Sequence, residues 1–446
     1  MAQFFKPKPK ATASARRQKP VQRGVVTALD HQGRGVVRAD DNAVYFIEQV
    51  LPTEQIRFRP LKKYQAELLA IEQTAEERQQ PPCPYYVRCG GCDMQHLNNT
   101  RQQQHKQTTV TELLAKFAGL TEQLNWQPIV YAEHWHYRRK ARLAVKWHGN
   151  DDSLWLGFRP PQSKKVTVID ECPVLVESLS RLLVPLRQLL GSSRIGAVLG
   201  HVELIEVNKV QVVLRLTASL SAAQQQQLVS FAKQYKVQFW LQNDTDVIPL
   251  QPQQQCFDLS IDDDRLYFAG GDFLQVNENV NQKMVEQALQ WLQPGRDDTV
   301  LDLFAGVGNF SLPLARRAAR VVAIEGVAAM TEKLSYSADQ AGLTQLTAET
   351  VDLTQITARQ LAAYKANLWL LDPARAGAEA VCRAVMSIAA EQRPARIVYV
   401  SCAPVTLARD SEWLVQAGYR IKTLGLVDMF PQTHHIETMV YFERVA

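Results

Sequence analysis

The second half of the chain alternates short, largely apolar runs with longer segments of helical periodicity. The apolar runs occupy 300–303, 321–324, 368–371 and 397–400. Such runs are typical of parallel strands that helices cover on both faces. One helical segment carries its apolar residues on a single face, at Val280, Met284, Val285, Ala288, Leu289 and Leu292. The pattern predicts an α/β, Rossmann-like domain over 269–446.

The first part of the chain has shorter segments in which apolar and polar residues alternate. They predict strands at 24–29, 35–38, 44–47, 55–59 and 67–71. Strands so closely spaced predict a small OB-like β-barrel over 19–73, a shape that often binds oligonucleotides but does not by itself specify a partner. A hairpin is predicted from 202–207 and 210–216, and we interpret 74–268 as a central α+β domain.

A glycine turn follows the strand at 300–303, with the sequence Phe304-Ala305-Gly306-Val307-Gly308-Asn309-Phe310. Gly306 and Gly308 allow the backbone to turn tightly and to approach a ligand. The turn has no Walker lysine, which favours a nucleoside-bearing cofactor over a nucleoside triphosphate. Taken alone, the two glycines are equally compatible with an ordinary strand–helix turn.

Acidic residues and a thiol follow the neighbouring strands. Glu325 ends the next strand roughly 20 residues after the turn, the spacing at which a carboxylate accepts both ribose hydroxyls. Asp352 and Asp372 follow further apolar runs, and Cys402 follows the run at 397–400. Because the carboxyl ends of parallel strands form the ligand crevice, this pattern predicts a methyltransferase-type sheet that binds S-adenosylmethionine. Glu325 is expected at the ribose and Asp352 near the adenine.

Length and composition agree with a multidomain globular protein. The chain has 446 residues, 46% of them hydrophobic, and no apolar run long enough to span a membrane. We expect a cytoplasmic protein, because no signal-peptide pattern is present at the N-terminus. The net charge is only +5, yet the first 18 residues are basic and contain no acid. This segment is interpreted as a basic tail attracted to phosphate, and a solubilising tail without a partner remains the alternative.

Cysteine spacing provides a second candidate site. Cys83, Cys89 and Cys92 form C-x5-C-x2-C among prolines and glycines, and Cys172 stands alone before Pro173. A disulfide framework is improbable in a cytosolic chain. Zinc sites usually repeat a C-x2-C pair, so the pattern favours a [4Fe-4S] cluster over zinc, with unligated buried cysteines as a third interpretation.

Aromatic and basic residues are mixed along 131–142, where Tyr131, Trp135 and Tyr137 precede or adjoin Arg138, Arg139 and Lys140. Aromatic rings stack on unpaired bases, and cationic side chains bind phosphates. The stretch predicts contact with single-stranded RNA. A strand with a charged outer face is the alternative.

The motifs of the C-terminal half resemble those of the RNA uracil-5 methyltransferases. The resemblance rests, in chain order, on Phe-x-Gln-x-Asn at 273–277, the glycine turn at 302–310, Asp-Pro-Ala-Arg at 372–375, Ser-Cys-x-Pro at 401–404 and Thr-x-His-Ile-Glu at 433–437. The segment Asp30 to Val36 resembles the RNA-binding TRAM module. With the cysteine set, nearly the whole chain is similar to the members that modify 23S rRNA. One departure is Ala403, where the family usually has Asn.

The resemblance implies a mechanism and a set of site residues. Cys402 would be the nucleophile that adds to C6 of a flipped uracil, and Glu437 the general base that removes the C5 proton. Asp372 would orient the uracil, and Arg375 would stabilise the enolate or its loop. The implied cofactor-binding residues are Gln275, Phe304, Gly306, Asn309, Glu325, Asp352 and Asp372. The implied cluster ligands are Cys83, Cys89, Cys92 and Cys172.

The expected partner is 23S rRNA, and we expect a monomer. Another rRNA site or tRNA is the alternative substrate. A non-catalytic RNA-binding or ribosome-assembly factor would explain the barrel and tail but leave Cys402, Glu437 and the glycine turn without a role. A radical enzyme that joins a TRAM module to an iron–sulfur cluster would need C-x3-C-x2-C, which differs from the spacing in this chain.

Overall fold

The computed structural model describes residues 19–39, 42–120, 124–161, 163–244, 246–251, 257–261, 264–268 and 270–445. The chain divides into two compact units, Met1–Arg78 and Gln79–Ala446. The predicted basic tail at 1–18 lies outside the described residues. No helix in the described ranges is long and apolar enough to cross a membrane.

The first unit contains a closed five-stranded barrel with strand order β1-β2-β3-β5-β4. The strands are β1 (Gln22–Leu29), β2 (Gly35–Arg38), β3 (Val44–Ile47), β4 (Gln55–Lys62) and β5 (Tyr64–Gln73). Alternate residues, among them Val26, Val37 and Phe58, point inward and form the barrel core, as period-two alternation requires. The predicted β-barrel is therefore confirmed.

The second unit begins with α1 (Tyr86–Cys89) and the long helix α2 (Asn99–Ala118). A mixed seven-stranded sheet of order β12-β11-β10-β9-β6-β7-β8 follows. Its strands are β6 (Lys140–His148), β7 (Ser153–Phe158), β8 (Thr167–Val168), β9 (Leu199–Glu206), β10 (Val210–Leu216), β11 (Val237–Gln242) and β12 (Val247–Pro249). Its helices are α3 (Glu177–Ser180), α4 (Leu183–Ser192) and α5 (Ala222–Tyr235), with a 3₁₀ turn at Ile195–Val198. The predicted hairpin is present, since β9 and β10 pair antiparallel.

A two-stranded ribbon, β13 (Phe257–Ile261) and β14 (Asp264–Phe268), leads to helix α6 (Glu278–Leu292). The six apolar residues predicted to share one face of this helix are all buried in one core cluster. Asn277 caps the helix by accepting a hydrogen bond at Oδ1 from the Val280 N–H, at 3.3 Å.

The C-terminal sheet has seven strands in the order β17-β16-β15-β18-β19-β21-β20. Its strands are β15 (Thr299–Leu303), β16 (Arg320–Glu325), β17 (Leu346–Thr350), β18 (Leu368–Leu371), β19 (Arg396–Ser401), β20 (Tyr419–Val427) and β21 (Glu437–Arg444). Its helices are α7 (Ser311–Ala315), α8 (Ala328–Gln340), α9 (Ala358–Ala363), α10 (Glu379–Met386) and α11 (Pro404–Gln416), with a 3₁₀ turn at Ala390–Gln392.

The first five strands of this sheet are parallel, and β21 alone runs antiparallel to them. The edge strand β20 pairs antiparallel with β21 and so runs in the same direction as the first five. Helices cover both faces, which explains why the parallel strands are apolar throughout. Helix α2, which precedes the central sheet in sequence, buries Val110 and Leu114 in the same core as Leu407 of α11. The parallel strands all end at one edge, which defines where a ligand crevice lies.

Candidate active site

A cavity of about 450 Å³ opens at the carboxyl edge of the C-terminal sheet. It is lined by most of the residues that the sequence singled out, namely Gln275, Phe304, Gly306, Asn309, Glu325, Asp372, Arg375, Cys402 and Glu437. Leu266, Val327 and Met330 supply an apolar wall that sequence reasoning missed. The nine predicted residues come from six separate segments of the chain, and the strand order brings them together.

The glycine turn after β15 shapes one side of this cavity. Phe304 and Gly306 both have left-handed backbones, with φ of 64° and 58°. A Cβ built on Gly306 meets no atom within 4 Å, so this position faces open space, whereas one on Gly308 would lie 2.8 Å from Leu312. Gly306 therefore leaves room for a ligand, and Gly308 permits close packing of the turn against its helix.

The carboxylate of Glu325 lies beside the turn and accepts hydrogen bonds from the Gly306 and Val327 N–H groups, each at 3.1 Å. Asp352 does not line the cavity. It is exposed, and its Oδ1 accepts from the Thr354 N–H at 2.9 Å and from the Thr354 hydroxyl at 2.7 Å. The backbone still holds Asp352 near this edge, because the Val351 N–H donates to the Glu325 carbonyl at 3.0 Å.

Two amide side chains also line the cavity. The Oε1 atom of Gln275 is buried without a hydrogen-bond partner, which marks it as an acceptor available to a ligand. Asn309 exchanges two hydrogen bonds with Asn281, at 2.8 and 3.0 Å. The main chain around Gln275 is held by Arg139, whose Nε donates to the Gln275 carbonyl at 2.9 Å.

Three carboxyl groups lie close together at the cavity, where Asp372 and Glu437 line the wall and Asp302 is buried behind it. Burial raises the pKa of Asp302 to about 7, against a hydrogen bond from Ser311 that lowers it. Burial and the neighbouring charge of Asp302 raise the pKa of Asp372 to about 7. Burial and the charge of Asp372 also raise the pKa of Glu437 well above its ordinary value. Burial and neighbouring negative charge therefore favour the protonated forms of these groups and make their carboxylates stronger bases than exposed ones.

Cys402 lies at the junction of β19 and α11. Burial, followed by the charges of Glu437 and Asp372, raises the pKa of its thiol to about 12, and Arg375 opposes that shift. Ser401, the last residue of β19, pairs with Thr438 of the adjacent antiparallel strand β21. Cys402 follows Ser401 and Glu437 precedes Thr438, so the two residues lie at the same end of these strands. The raised pKa favours the protonated thiol, which has two carboxyl groups beside it.

Ala403 stands at the N-cap of α11 and provides no side-chain cap. Its neighbours support the turn instead. The Ser401 hydroxyl accepts from the Ala403 N–H at 3.2 Å, and the Thr406 hydroxyl donates to the Ala403 carbonyl at 3.0 Å. The loop at Cys402 is thus held without the Asn that the family motif usually has.

The four predicted cluster ligands line a second cavity of about 300 Å³, together with Arg138 and His435. Burial is the first cause that raises the thiol pKa values, to about 11 for Cys89 and about 12 for Cys92, and the charges of the other cysteines add to it. Within the described ranges, no group of three or more donor residues converges as ligands of a single metal ion.

The basic stretch at 131–142 is only partly available to RNA. Arg139 is 2% exposed and pairs with Glu278 at 3.0 Å, and Lys140 donates to the Asp272 carbonyl at 2.6 Å. These two side chains connect the central sheet to the segment that carries Gln275. Tyr131 is 53% exposed, with the Lys283 ammonium 5.9 Å from its ring, and can still stack on a base.

Sequence reasoning missed the contacts that hold the loop immediately before Glu437. Gln432 is completely buried between α2 and the segment that follows Cys92. Lys106 forms a buried ion pair with Asp428 at 2.8 Å. No local pattern marks either contact, because the partners are more than three hundred residues apart. A lysine in a predicted helix is ordinarily exposed, which hid the role of Lys106.

Residues 98–445 match the family described as tRNA (Uracil-5-)-methyltransferase. The chain is 44% identical to a protein of Idiomarina loihiensis named 23S rRNA (uracil(1939)-C(5))-methyltransferase RlmD, over the whole of both chains. It is 43% identical to a protein of the same name from Shewanella woodyi, which covers 99% of this chain and 100% of that protein.

Among solved structures, the tRNA (uracil-54, C5)-methyltransferase of Pyrococcus abyssi in complex with S-adenosyl-L-homocysteine superposes with a TM-score of 0.71. The alignment covers 94% of this chain and 100% of that one at 22% identity, which shows a common fold. The family match and the full-length identity go further. The chain belongs to the tRNA (uracil-5-)-methyltransferase family.

Proposed function

We propose that this protein transfers a methyl group from S-adenosylmethionine to C5 of one uridine in 23S rRNA, the position that the relatives' names number 1939. The observation that carries the proposal is the single cavity that combines a thiol, a cluster of carboxyl groups and the glycine turn. Residues from six segments would not meet at one ligand edge in a protein that only binds RNA.

The cavity fits S-adenosylmethionine. The open space above Gly306 admits the cofactor, Glu325 is assigned to its ribose hydroxyls, and the unpartnered Gln275 Oε1 accepts from a polar group. Phe304, Asn309 and Asp372 complete the assigned contacts, and Asp352 is assigned to the adenine side. When bound, the cofactor supplies an electrophilic methyl group on a sulfonium.

Cys402 has the role of nucleophile, because uracil C5 is too weakly nucleophilic to be methylated unaided. The thiol gives up its proton to a neighbouring carboxylate, and sulfur adds to C6. The electron pair of the C5–C6 double bond moves toward the O4 carbonyl and leaves an enolate with a nucleophilic C5. Arg375, which already lowers the pKa of the thiol, stabilises the negative charge in this step.

Glu437 has the role of general base in the second half of the reaction. After methylation, C5 carries both the methyl group and its original proton. Removal of that proton returns the electron pair to the ring, re-forms the double bond and expels the Cys402 thiolate from C6. The raised pKa of Glu437 suits it to this task, and Asp372 is assigned to orient the uracil edge.

The cysteine cavity is proposed to hold a [4Fe-4S] cluster on Cys83, Cys89, Cys92 and Cys172. The four thiols line one cavity and are chemically suited to iron, and a cationic centre between them would favour their ionised forms. In a cluster each thiolate binds a different iron, so the ligands need not converge on one point as they would around zinc. The role assigned to the cluster is structural.

Recognition of RNA is assigned to the barrel at 19–73, the basic tail at 1–18 and the exposed ring of Tyr131. The central range 74–268 is assigned to cluster binding and RNA contact, and 269–446 to catalysis. The target uridine must leave its stack before Cys402 can reach C6, which requires contacts that hold the unpaired strand.

The test uses two variants and RNA labelled separately from the cofactor's methyl group. Cys402→Ala should form no covalent complex, since nothing adds to C6. Glu437→Gln should accumulate a band on denaturing gels that carries both labels, because methyl transfer occurs but the C5 proton stays. Turnover by Cys402→Ala would refute the mechanism. Parallel assays with 23S rRNA and tRNA distinguish the two substrate classes, and preferential methylation of tRNA would overturn the rRNA assignment.

A further inference from the structure

The loop at 428–436, here called the base loop, joins the two strands β20 and β21. Its ends are fixed in register, because Val427 pairs with Glu437 across those strands. The loop lies immediately before Glu437 in sequence, so any shift of its last residues moves the first residue of β21. Its conformation therefore contributes to the position of the Glu437 carboxylate.

Gln432, in the middle of the base loop, has a left-handed backbone with φ of 68° and is completely buried. A residue with a Cβ is disfavoured in this conformation. The conformation persists only where surrounding contacts require it, and such residues cluster at functional sites.

The contacts around Gln432 come from two other elements. Its N–H donates to Gln102 Oε1 at 3.0 Å, and its side-chain Nε2 donates to Asn99 Oδ1 at 2.8 Å, both from helix α2. Gln102 returns a hydrogen bond from Nε2 to Gln432 Oε1 at 3.1 Å. The main-chain and side-chain groups of Gln432 are thus both bound to one rigid helix.

The segment after Cys92 binds the same residue from the other side. The N–H groups of Asp93 and Met94 donate to the Gln432 carbonyl at 3.2 and 3.0 Å. Asp93 also accepts from the His434 N–H at 2.8 Å and pairs with the His434 ring. The base loop is therefore held between α2 and the chain that carries a cysteine of the second cavity.

We infer that Gln432 is a positioning residue that sets the Glu437 carboxylate for removal of the C5 proton. The inference rests on the proposed function, in which Glu437 is the general base. It assigns Gln432 to one half of the reaction only. Cys402 lies between β19 and α11, outside the base loop, so addition to C6 should be unaffected.

The test compares wild type, Gln432→Gly, Glu437→Gln and a control in the full-length protein, with RNA carrying hydrogen or deuterium at C5 of the uridine. Glycine removes the amide and tolerates the left-handed backbone, so no strain is introduced. The control is Gln211→Ala, which removes another buried glutamine, bonded to Gln238 at 2.7 Å in the central sheet.

Gln432→Gly should turn over about 10- to 100-fold more slowly, the effect expected when a reacting group is misplaced by about 1 Å. The methylated covalent complex should accumulate, and the isotope effect on turnover should rise above that of wild type because proton removal becomes limiting. The rate of complex formation should stay within about twofold of wild type. Gln211→Ala should show neither accumulation nor a changed isotope effect.

Two results would overturn the inference. One is wild-type turnover by Gln432→Gly, and the other is a parallel fall of complex formation and turnover with no accumulation, which signals general damage. Glu437→Gln separates this failure from that of the proposed function. If Glu437→Gln traps the complex and Gln432→Gly does not, the inference alone is wrong. If Glu437→Gln traps nothing, the base assignment falls and the inference falls with it.

Discussion

Substitution of Gly377 by alanine tests how closely the loop that carries Arg375 is held against helix α11, which follows Cys402. Gly377 has φ of +79°, and a Cβ built there would lie 2.5 Å from Asp410 Oδ2, 2.6 Å from Arg409 Nη2 and 2.9 Å from Thr406 Cβ. The same Asp410 oxygen accepts from the Ala378 N–H at 2.6 Å and from the Tyr399 hydroxyl at 2.7 Å. Alanine therefore cannot fit unless a buried carboxylate or the loop moves.

The magnitude follows from two contributions. The left-handed backbone disfavours alanine by about 1–2 kcal/mol. Displacement of the loop from Asp410 loses a hydrogen bond to a charged group, about 1.5–3 kcal/mol. The folded loop should thus be destabilised by about 2.5–5 kcal/mol. Because Arg375 lies two residues before Gly377, methyl transfer should fall about 10-fold or more.

Gly418→Ala is the matched control. Gly418 has φ of +87°, but a Cβ there meets nothing within 4 Å, so alanine introduces backbone strain without a collision. Hydrogen–deuterium exchange of peptides spanning 373–378 should accelerate in Gly377→Ala and stay unchanged in Gly418→Ala, whose activity should remain within about twofold of wild type. Equal activity of Gly377→Ala and Gly418→Ala would refute the argument.

Three further predictions concern charge and RNA binding. Asp302→Asn should stabilise the protein relative to wild type more at pH 8 than at pH 5. The folded-state pKa of Asp302 is raised to about 7, so ionisation of this carboxyl destabilises the wild-type fold progressively as pH rises from the unfolded-state pKa to 7. Urea midpoints of variant and wild type that differ equally at both pH values would contradict this. Lys106→Met should lower the free energy of unfolding by about 3–5 kcal/mol, because it leaves the buried charge of Asp428 unpaired. The double variant Lys106→Met with Asp428→Leu should recover part of this loss in urea unfolding. No recovery would show that the ion pair is not the cause. Deletion of 1–73 should weaken binding to rRNA and reduce the dependence of the binding constant on salt concentration. An unchanged salt dependence would show that the barrel and tail do not contact phosphates.

The sequence was sufficient for the elements whose periodicity is local. The five alternating segments became the strands of the barrel, and the apolar face of α6 was predicted residue by residue. The edge of the C-terminal sheet was also predictable, because strand ends, a glycine turn and acids recur there in order. Gln275 and Asn277, which belong to one sequence motif, have different roles in the structure: Gln275 lines the cavity wall and Asn277 caps a helix.

Contacts between distant segments were beyond the sequence. Arg139 and Lys140 have the composition of an RNA-binding stretch, yet ion pairs and carbonyl contacts bury them between the central sheet and the Gln275 segment. The polar residues of α2 have the composition of a solvated face, yet Gln102 and Lys106 are buried against the base loop. Local charge patterns cannot reveal burial that a partner hundreds of residues away creates.

The most direct test of uridine C5 methylation is mass mapping of 23S rRNA from cells that lack this protein and carry either the wild-type gene or Cys402→Ala. Wild type should restore one methyl group on a single uridine, at the position that the relatives' names number 1939, and Cys402→Ala should leave that uridine unmodified. The account is contradicted if the uridine is methylated without the protein or with Cys402→Ala, or if wild type adds the methyl group to another base.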